Sequence, residues 1–144
     1  MGSKTNKMKT ATEHLTQYGI RPSMQRVAVM KYLLEHRTHP TVDEIYAELS
    51  KEIPTLSKTT VYNTLQLLMQ HKAVLELSID PKMAHYDGYP EAHSHFMCSV
   101  CKKIYDMKFD ASLLRDIMPG DGFVVEDIQL YYSGICPECK KNNN

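Results

Sequence analysis

Four cysteines constrain this chain of 144 residues more than any other feature: all lie in its second half, and all in Cys-x-x-Cys pairs. They stand at Cys98/Cys101 and Cys136/Cys139. Zinc prefers a tetrahedron, and each Cys-x-x-Cys turn presents two thiolates at a suitable bite. The 34 residues between Cys101 and Cys136 exceed the gap of a compact zinc ribbon. A helix and a long strand are therefore expected inside that loop, with structural Zn(II) stapling the end of the last strand to the first. One such pair also fits a redox dithiol of the thioredoxin kind; two pairs favour the metal.

Hydrophobic content of 42% with 24% charged residues is that of an ordinary globular chain. No apolar run approaches the roughly 18–20 residues of a membrane span. The polar, Lys-rich start shows no apolar leader segment, which reads as a cytoplasmic protein with reduced thiols. Net charge is zero but unevenly spread: residues 1–82 carry 11 Lys/Arg against 8 Asp/Glu, and residues 83–144 carry 6 against 9. A mildly basic first half thus joins a mildly acidic second half, too weak a bias to argue nucleic-acid binding alone.

Helical patterning dominates the first half. Residues 8–18 predict a helix ended by Gly19, and Val27, Met30, Leu33 and Leu34 recur at helical spacing behind a Ser23 cap. Thr41-Val42-Asp43-Glu44 has the form of a capping box and opens a helix from Val42 to about Lys51. Ser57 caps a fourth, with Val61, Leu65, Leu68 and Met69 inward. Val74–Ile79 and His85–Asp87 then read as two strands about a turn at Asp80-Pro81-Lys82. Helices followed by a two-stranded ribbon predict a winged helix-turn-helix over residues 1–87, with a hinge at 88–92. Residues 93–144 predict a small α/β metal-binding domain: strands near His95–Cys98 and Lys103–Asp106, a helix at Ala111–Met118, and a long strand from Phe123 to Tyr132. The fold class is α/β (α+β), and a module so small needs a metal or a dimer partner.

A second constellation is His93-Ser94-His95 just before the first knuckle. Residues i and i+2 of a strand point the same way, so both imidazoles share a face. Asp87 ends the wing, Asp106 ends the strand after the knuckle, and His39 precedes the third helix. As a pattern this fits a metal site; it also fits solvated strand histidines and aspartates capping turns. If all five ligate, imidazole and carboxylate donors beyond zinc's four favour iron or manganese.

Several motifs together, spanning roughly residues 8–140, resemble the ferric uptake regulator family, and within it the branch that senses peroxide. They are Gln25-Arg26, His39-Pro40-Thr41-Val42-Asp43-Glu44-Ile45-Tyr46, Thr59-Thr60-Val61-Tyr62-Asn63, the His93/His95 pair and both knuckles. The resemblance implies a homodimeric, metal-dependent repressor of double-stranded operator DNA, with residues 93–144 as its dimerisation domain. It implies regulatory Fe(II) or Mn(II) at His39, Asp87, His93, His95 and Asp106, and structural zinc at the four cysteines. Both carboxylate positions hold aspartate, as in the peroxide branch, where the iron-sensing members usually hold glutamate. Nothing matches a further His-rich site that many members carry, since the chain reads Ala92-His93-Ser94-His95 there.

The resemblance further implies that the fourth helix reads DNA, with Tyr62 and Asn63 at its reading positions and Arg21 at a minor-groove position. Ser57, Thr59, Thr60 and Tyr62 can then reach phosphates or bases and Lys58, Arg21 and Lys9 supply charge, the alternative for Thr59, Thr60 and Tyr62 being a solvated helix face. Lys58 stands where the family usually has an apolar residue, and Ser23 where it has threonine. Hydrogen peroxide is the implied signal, and His39 and His93 are the implied oxidation-sensitive residues. Other readings are an iron- or manganese-responsive repressor without peroxide sensing, a non-haem iron enzyme, and a thiol-disulfide oxidoreductase. No substrate-cleft signature favours an enzyme, and five protein ligands leave little room for substrate and oxygen together.

Overall fold

A computed structural model describes residues 4–91, 94–108 and 110–142, apart from the side chains of residues 4–9 and 111. The chain divides into two compact units, Met1–Pro90 and Glu91–Asn144.

The first unit is built on four helices whose ends are set by local chemistry. Helix α1 (Lys4–Gln17) buries Ala11 and Leu15 and stops at Gly19, whose φ of 74° admits the left-handed turn. There the Ile20 amide donates to the Leu15 carbonyl at 2.8 Å. Ser23 opens α2 (Met24–Glu35) by accepting from the Arg26 amide. The capping box forms as its residues predict: Thr41 Oγ1 accepts from the Glu44 amide at 3.2 Å and the Glu44 carboxylate accepts from the Thr41 amide at 3.1 Å. It starts α3 (Val42–Glu52), and Ser57 starts α4 (Lys58–Gln70) by accepting from the Thr60 amide at 3.0 Å. Val29, Met30, Leu33, Ile45, Leu49, Val61, Leu65 and Leu68 interlock as one buried core. Burying each large aliphatic side chain stabilises the unit by about 1.5–3 kcal/mol before entropy is charged against it.

The wing follows. Strand β1 (Leu75–Leu77) pairs antiparallel with β2 (His85–Asp87), Leu75 opposite Asp87 and Leu77 opposite His85. The expected first strand ran from Val74 to Ile79, but β2 offers three residues to pair with, so the ladder is three residues long.

The second unit is a three-stranded sheet of order β4-β3-β5. Central β3 (Ser94–Cys98) runs antiparallel to β4 (Ile104–Met107) and parallel to β5 (Tyr131–Gly134). The expected helix at Ala111–Met118 is a 3₁₀ turn, Ala111–Leu113, followed by the single turn α5 (Leu114–Ile117) with no buried residue. The expected strand from Phe123 is confined to its end: residues 123–130 are outside any strand, with Phe123 74% and Val124 89% exposed. Pairing requires a neighbour, and β3 is only five residues long, so the ladder ends near the bond from the His95 amide to the Leu130 carbonyl. Helix α6 (Pro137–Asn142) carries the last cysteine. The buried cluster of this unit consists of Cys98, Cys136 and Cys139, with Phe96 and Tyr105 packed against it.

Candidate metal centres and nucleic-acid interface

That second core is too small to hold a sheet by apolar burial alone, and its composition states what else is needed. The first knuckle turns at Lys102, in the left-handed region at φ 67°, with its amide donating to the Cys98 carbonyl. The second sits at the N-terminus of α6. The ligating atoms of all four cysteines lie within 4.8 Å of one another. Zinc–sulfur bonds of about 2.3 Å at tetrahedral angles give an S–S edge of about 3.8 Å. Cys101 Sγ and Cys136 Sγ are 3.8 Å apart, and all four cysteines are free of disulfides.

Amides prepare the thiolates for a cation. The amides of Val100, Cys101 and Cys136 approach Cys98 Sγ at 3.4–3.5 Å. Those of Cys101 and Cys136, in that order, lower the Cys98 thiol to about 6. Cys136 is lowered chiefly by the Tyr105 hydroxyl, whereas Cys139 is pushed up to about 12 by its bond to Cys136. A closed four-thiolate set fits structural zinc, and no open position is left for catalysis.

The histidines and aspartates form two pairs, one in each unit. In the first, His39 Nε2 lies 3.4 Å from Asp87 Oδ2, and both residues are buried. Asp87 Oδ1 accepts from the Tyr89 amide at 2.9 Å, which orients the carboxylate. In the second, His95 and Asp106 are direct cross-strand partners, with His95 Nε2 3.4 Å from Asp106 Oδ1. His95 is buried beside Tyr131, with ring centroids 6.4 Å apart. Adjacent donors on one divalent ion, with bonds of about 2.1 Å, sit roughly 3 Å apart, so each nitrogen–oxygen pair has the spacing of neighbouring ligands. Nitrogen and carboxylate oxygen donors fit a regulatory Fe(II) or Mn(II). His93 lies outside the described residues, as does the side chain of Lys9.

The residues expected on DNA are exposed at the start of α4. Ser57, Lys58, Thr59, Tyr62 and Asn63 face solvent and Thr60 is half-buried. Tyr62 is 50% exposed, while Val61, Thr64, Leu65 and Leu68 point into the core. Three of them are already engaged, the Thr60 hydroxyl by a 2.8 Å hydrogen bond with that of Ser57. Ser57 is spent on its cap, and Lys58 Nζ lies 2.8 Å from Asp43 Oδ1, a bond that raises the Lys58 pKa. Arg21 is exposed beside a cleft of about 420 Å³ that Gln25, Arg26, Thr60 and Asn63 also line. Arg26 donates to the Arg21 carbonyl at 2.9 Å. Gln25 and Arg26 were not among the expected contacts, although their motif marked them. A larger cleft of about 650 Å³, lined by Val27, Tyr32, Glu48 and Leu49, contains none of the metal donors. No described helix is long and apolar enough to cross a membrane.

The profile of the "Ferric uptake regulator family" matches residues 17–133. A curated relative from Bacillus subtilis, the peroxide operon regulator, is 33% identical over 141 residues, covering 96% of this chain and 97% of its own. The crystal structure of the Campylobacter jejuni peroxide stress regulator is 30% identical, covers 92% of this chain and 98% of its own, and superposes with a TM-score of 0.66. A zinc uptake regulator solved with zinc and DNA shares the fold, with a TM-score of 0.76 at 18% identity over 99% of both chains.

Proposed function

This chain belongs to the ferric uptake regulator family, and on that premise we propose that it is a dimeric, metal-dependent transcriptional repressor that releases operator DNA in response to hydrogen peroxide. The observation that carries the reading is the coexistence of a closed four-thiolate set with the imidazole–carboxylate pairs His39–Asp87 and His95–Asp106. One set suits a metal that holds structure, the other a metal that can come and go.

In this reading Cys98, Cys101, Cys136 and Cys139 hold zinc and keep the second unit folded. His39, Asp87, His93, His95 and Asp106 hold Fe(II) or Mn(II), and occupancy by that metal governs DNA binding. Each protomer of a dimer presents α4 to a major groove, with half-sites about one helical turn apart. Thr59, Thr60, Tyr62 and Asn63 reach bases or phosphates, with Ser57 holding the helix start against the backbone. Arg21, Arg26 and Lys58 supply charge to phosphates.

Fe(II), when bound, supplies the redox chemistry by which peroxide adds one oxygen atom to the imidazole of His39 or His93 and leaves as water. The oxidised ring is a poorer donor, so the ligand set weakens and DNA is released. With Mn(II) the same residues support DNA binding without this oxidation. The aspartates at positions 87 and 106 support placement in the peroxide branch. A cytoplasmic location follows from a repressor's task.

Gel shifts test the reading, using duplexes selected from random sequence by the Mn(II)-loaded protein. Binding is expected with either metal, and loss on micromolar peroxide only with Fe(II). Peptides containing His39 or His93 should then gain one oxygen in mass. Fe(II)-dependent binding that survives peroxide would select the iron-responsive reading.

A further inference from the structure

Strand β2 holds His39 from two directions. His85 and Asp87, two residues apart, leave the strand on the same face, and Tyr86 leaves on the other. Tyr86 enters the core and its hydroxyl donates to Glu76 at 3.3 Å. On the shared face Asp87 meets the His39 side chain, while His85 Nδ1 meets the His39 carbonyl oxygen at 2.6 Å. The Tyr86 amide donates to the Pro40 carbonyl at 3.0 Å, so three successive residues grip His39-Pro40.

The grip has something to hold. His39 has a φ of 58°, in the left-handed region that residues with a Cβ rarely adopt. A residue before proline is also steered toward extended backbone, so this conformation departs from the local preference twice. Such geometry persists only where the surroundings over-determine it. The other side of the His85 ring faces the wing turn. Its Nε2 lies 3.0 Å from Asp80 Oδ2, and Asp80 Oδ1 accepts from the Lys82 amide at 2.9 Å. Both ring nitrogens thus lie within hydrogen-bond distance of an oxygen, one on each side of the ring. The side chains of His85 and Asp80 are only 12% and 15% exposed, which keeps water from competing for these bonds.

We propose that His85 is a positioning residue, fixing the main chain of His39 for metal binding and connecting it through Asp80 to the wing turn. The inference rests on the reading of His39 and Asp87 as ligands of the regulatory metal. Metal at His39 stiffens the Lys82–Asp80–His85–His39 chain of bonds and quiets the wing; by linkage, contacts that order the wing strengthen metal binding in return.

Two substitutions separate the two ends of the ring. His85→Asn retains a donor near the place of Nδ1 but cannot reach Asp80. His85→Gln extends a donor toward Asp80 and leaves the His39 carbonyl without it. The experiment uses the full zinc-loaded chain, titrated with Mn(II) as probe while free Mn(II) is followed by electron paramagnetic resonance. Hydrogen exchange is read at Lys82 and Tyr86. His85→Asn should bind Mn(II) within about three-fold of wild type and His85→Gln about ten-fold or more weaker, the scale at which outer partners of metal ligands act. Tyr86 should exchange faster in His85→Gln than in His85→Asn. Mn(II) should slow Lys82 exchange in wild type but not in His85→Asn.

Equal affinities in wild type and His85→Gln, or equal losses in both variants, would overturn the positioning role. Lys82 slowing that persists in His85→Asn would overturn the connection to the wing. Should His85→Gln fail to fold, Asp80→Ala carries the test: its affinity should fall by no more than about three-fold, as in His85→Asn, and its Lys82 response vanish, and retention of that response overturns the proposal. Failure of the underlying reading looks different. In that case wild type takes up no Mn(II) beyond its zinc, or Asp87→Asn binds it as wild type does, and the proposal falls with the reading.

Discussion

Gly88 lies against the main chain of Leu33, so closely that a Cβ on it would meet the Leu33 carbonyl carbon at 3.0 Å and its oxygen at 3.1 Å. Backbone cannot swing aside as a side-chain tip can. Gly88→Ala must therefore push the end of β2 away from α2, and Asp87 is the residue next to it. The expected cost is about 1–3 kcal/mol, as for other overpacked sites, seen as a lower thermal midpoint. Mn(II) affinity should fall as well, because Asp87 moves relative to His39. An unchanged midpoint would mean that α2 yields more easily than its buried Leu33 suggests.

Much of the first unit was legible because its signals are local. Ser23, Thr41 and Ser57 each accept the amide that their capping patterns predict, and the apolar stripes of α3 and α4 face inward. The knuckles were legible for the same reason: two residues between cysteines fix the bite whatever the surrounding fold. The segment from Phe123 was not. Its apolar residues read as a strand, but strand formation depends on a partner edge, and β3 provides five residues. The His85 bonds to His39 and Asp80 were equally hidden, since the contact with His39 spans 46 positions and depends on which face of β2 the ring leaves.

Asp80 makes the wing turn sensitive to acid. Its hydrogen bond to His85, and next its bond from the Lys82 amide, hold its carboxyl below the ordinary value of 3.8. A depressed carboxyl pKa adds stability that is fully present above the unfolded value and is lost as pH falls through the lower folded value. Asp80→Ala should thus lower the unfolding midpoint at pH 6–7, and the gap to wild type should close as pH drops below about 3.8. Both proteins release zinc as their thiolates protonate, so the difference between them isolates Asp80. Measuring both midpoints across this range checks it; a gap that widened in acid would reverse the assigned sign.

Lys58 is held by Asp43 at 2.8 Å, but both side chains are well exposed, so the pair contributes little to folding. Lys58→Ala should leave the thermal midpoint close to that of wild type, as surface changes usually do. On DNA the effect should be larger. If Lys58 leaves Asp43 to meet a phosphate, Lys58→Ala reduces the slope of log affinity against log salt by about one ion. Asp43→Ala, which frees the lysine, should strengthen binding. Filter binding at several salt concentrations measures both, and an unaltered slope would remove Lys58 from the interface.

The two donor sets should separate by what their loss destroys. Cys98 is fully buried, receives amides from Val100, Cys101 and Cys136, and belongs to the only buried cluster identified among the described residues of the second unit. Cys98→Ser removes a thiolate from that cluster, so zinc affinity, the sheet and any dimer built on it should be lost together, since metal binding here is folding free energy. Asp106 stands at a more exposed strand position opposite His95, where an amide preserves shape. Asp106→Asn should keep its zinc and its fold and bind Mn(II) at least about ten-fold more weakly, the loss that even outer partners of metal ligands produce. Zinc content by atomic absorption, size by gel filtration and Mn(II) titration resolve the two cases. A Cys98→Ser protein that stayed a zinc-loaded dimer would mean that the remaining three thiolates suffice, and the second unit would then owe its stability to something other than a closed tetrahedron.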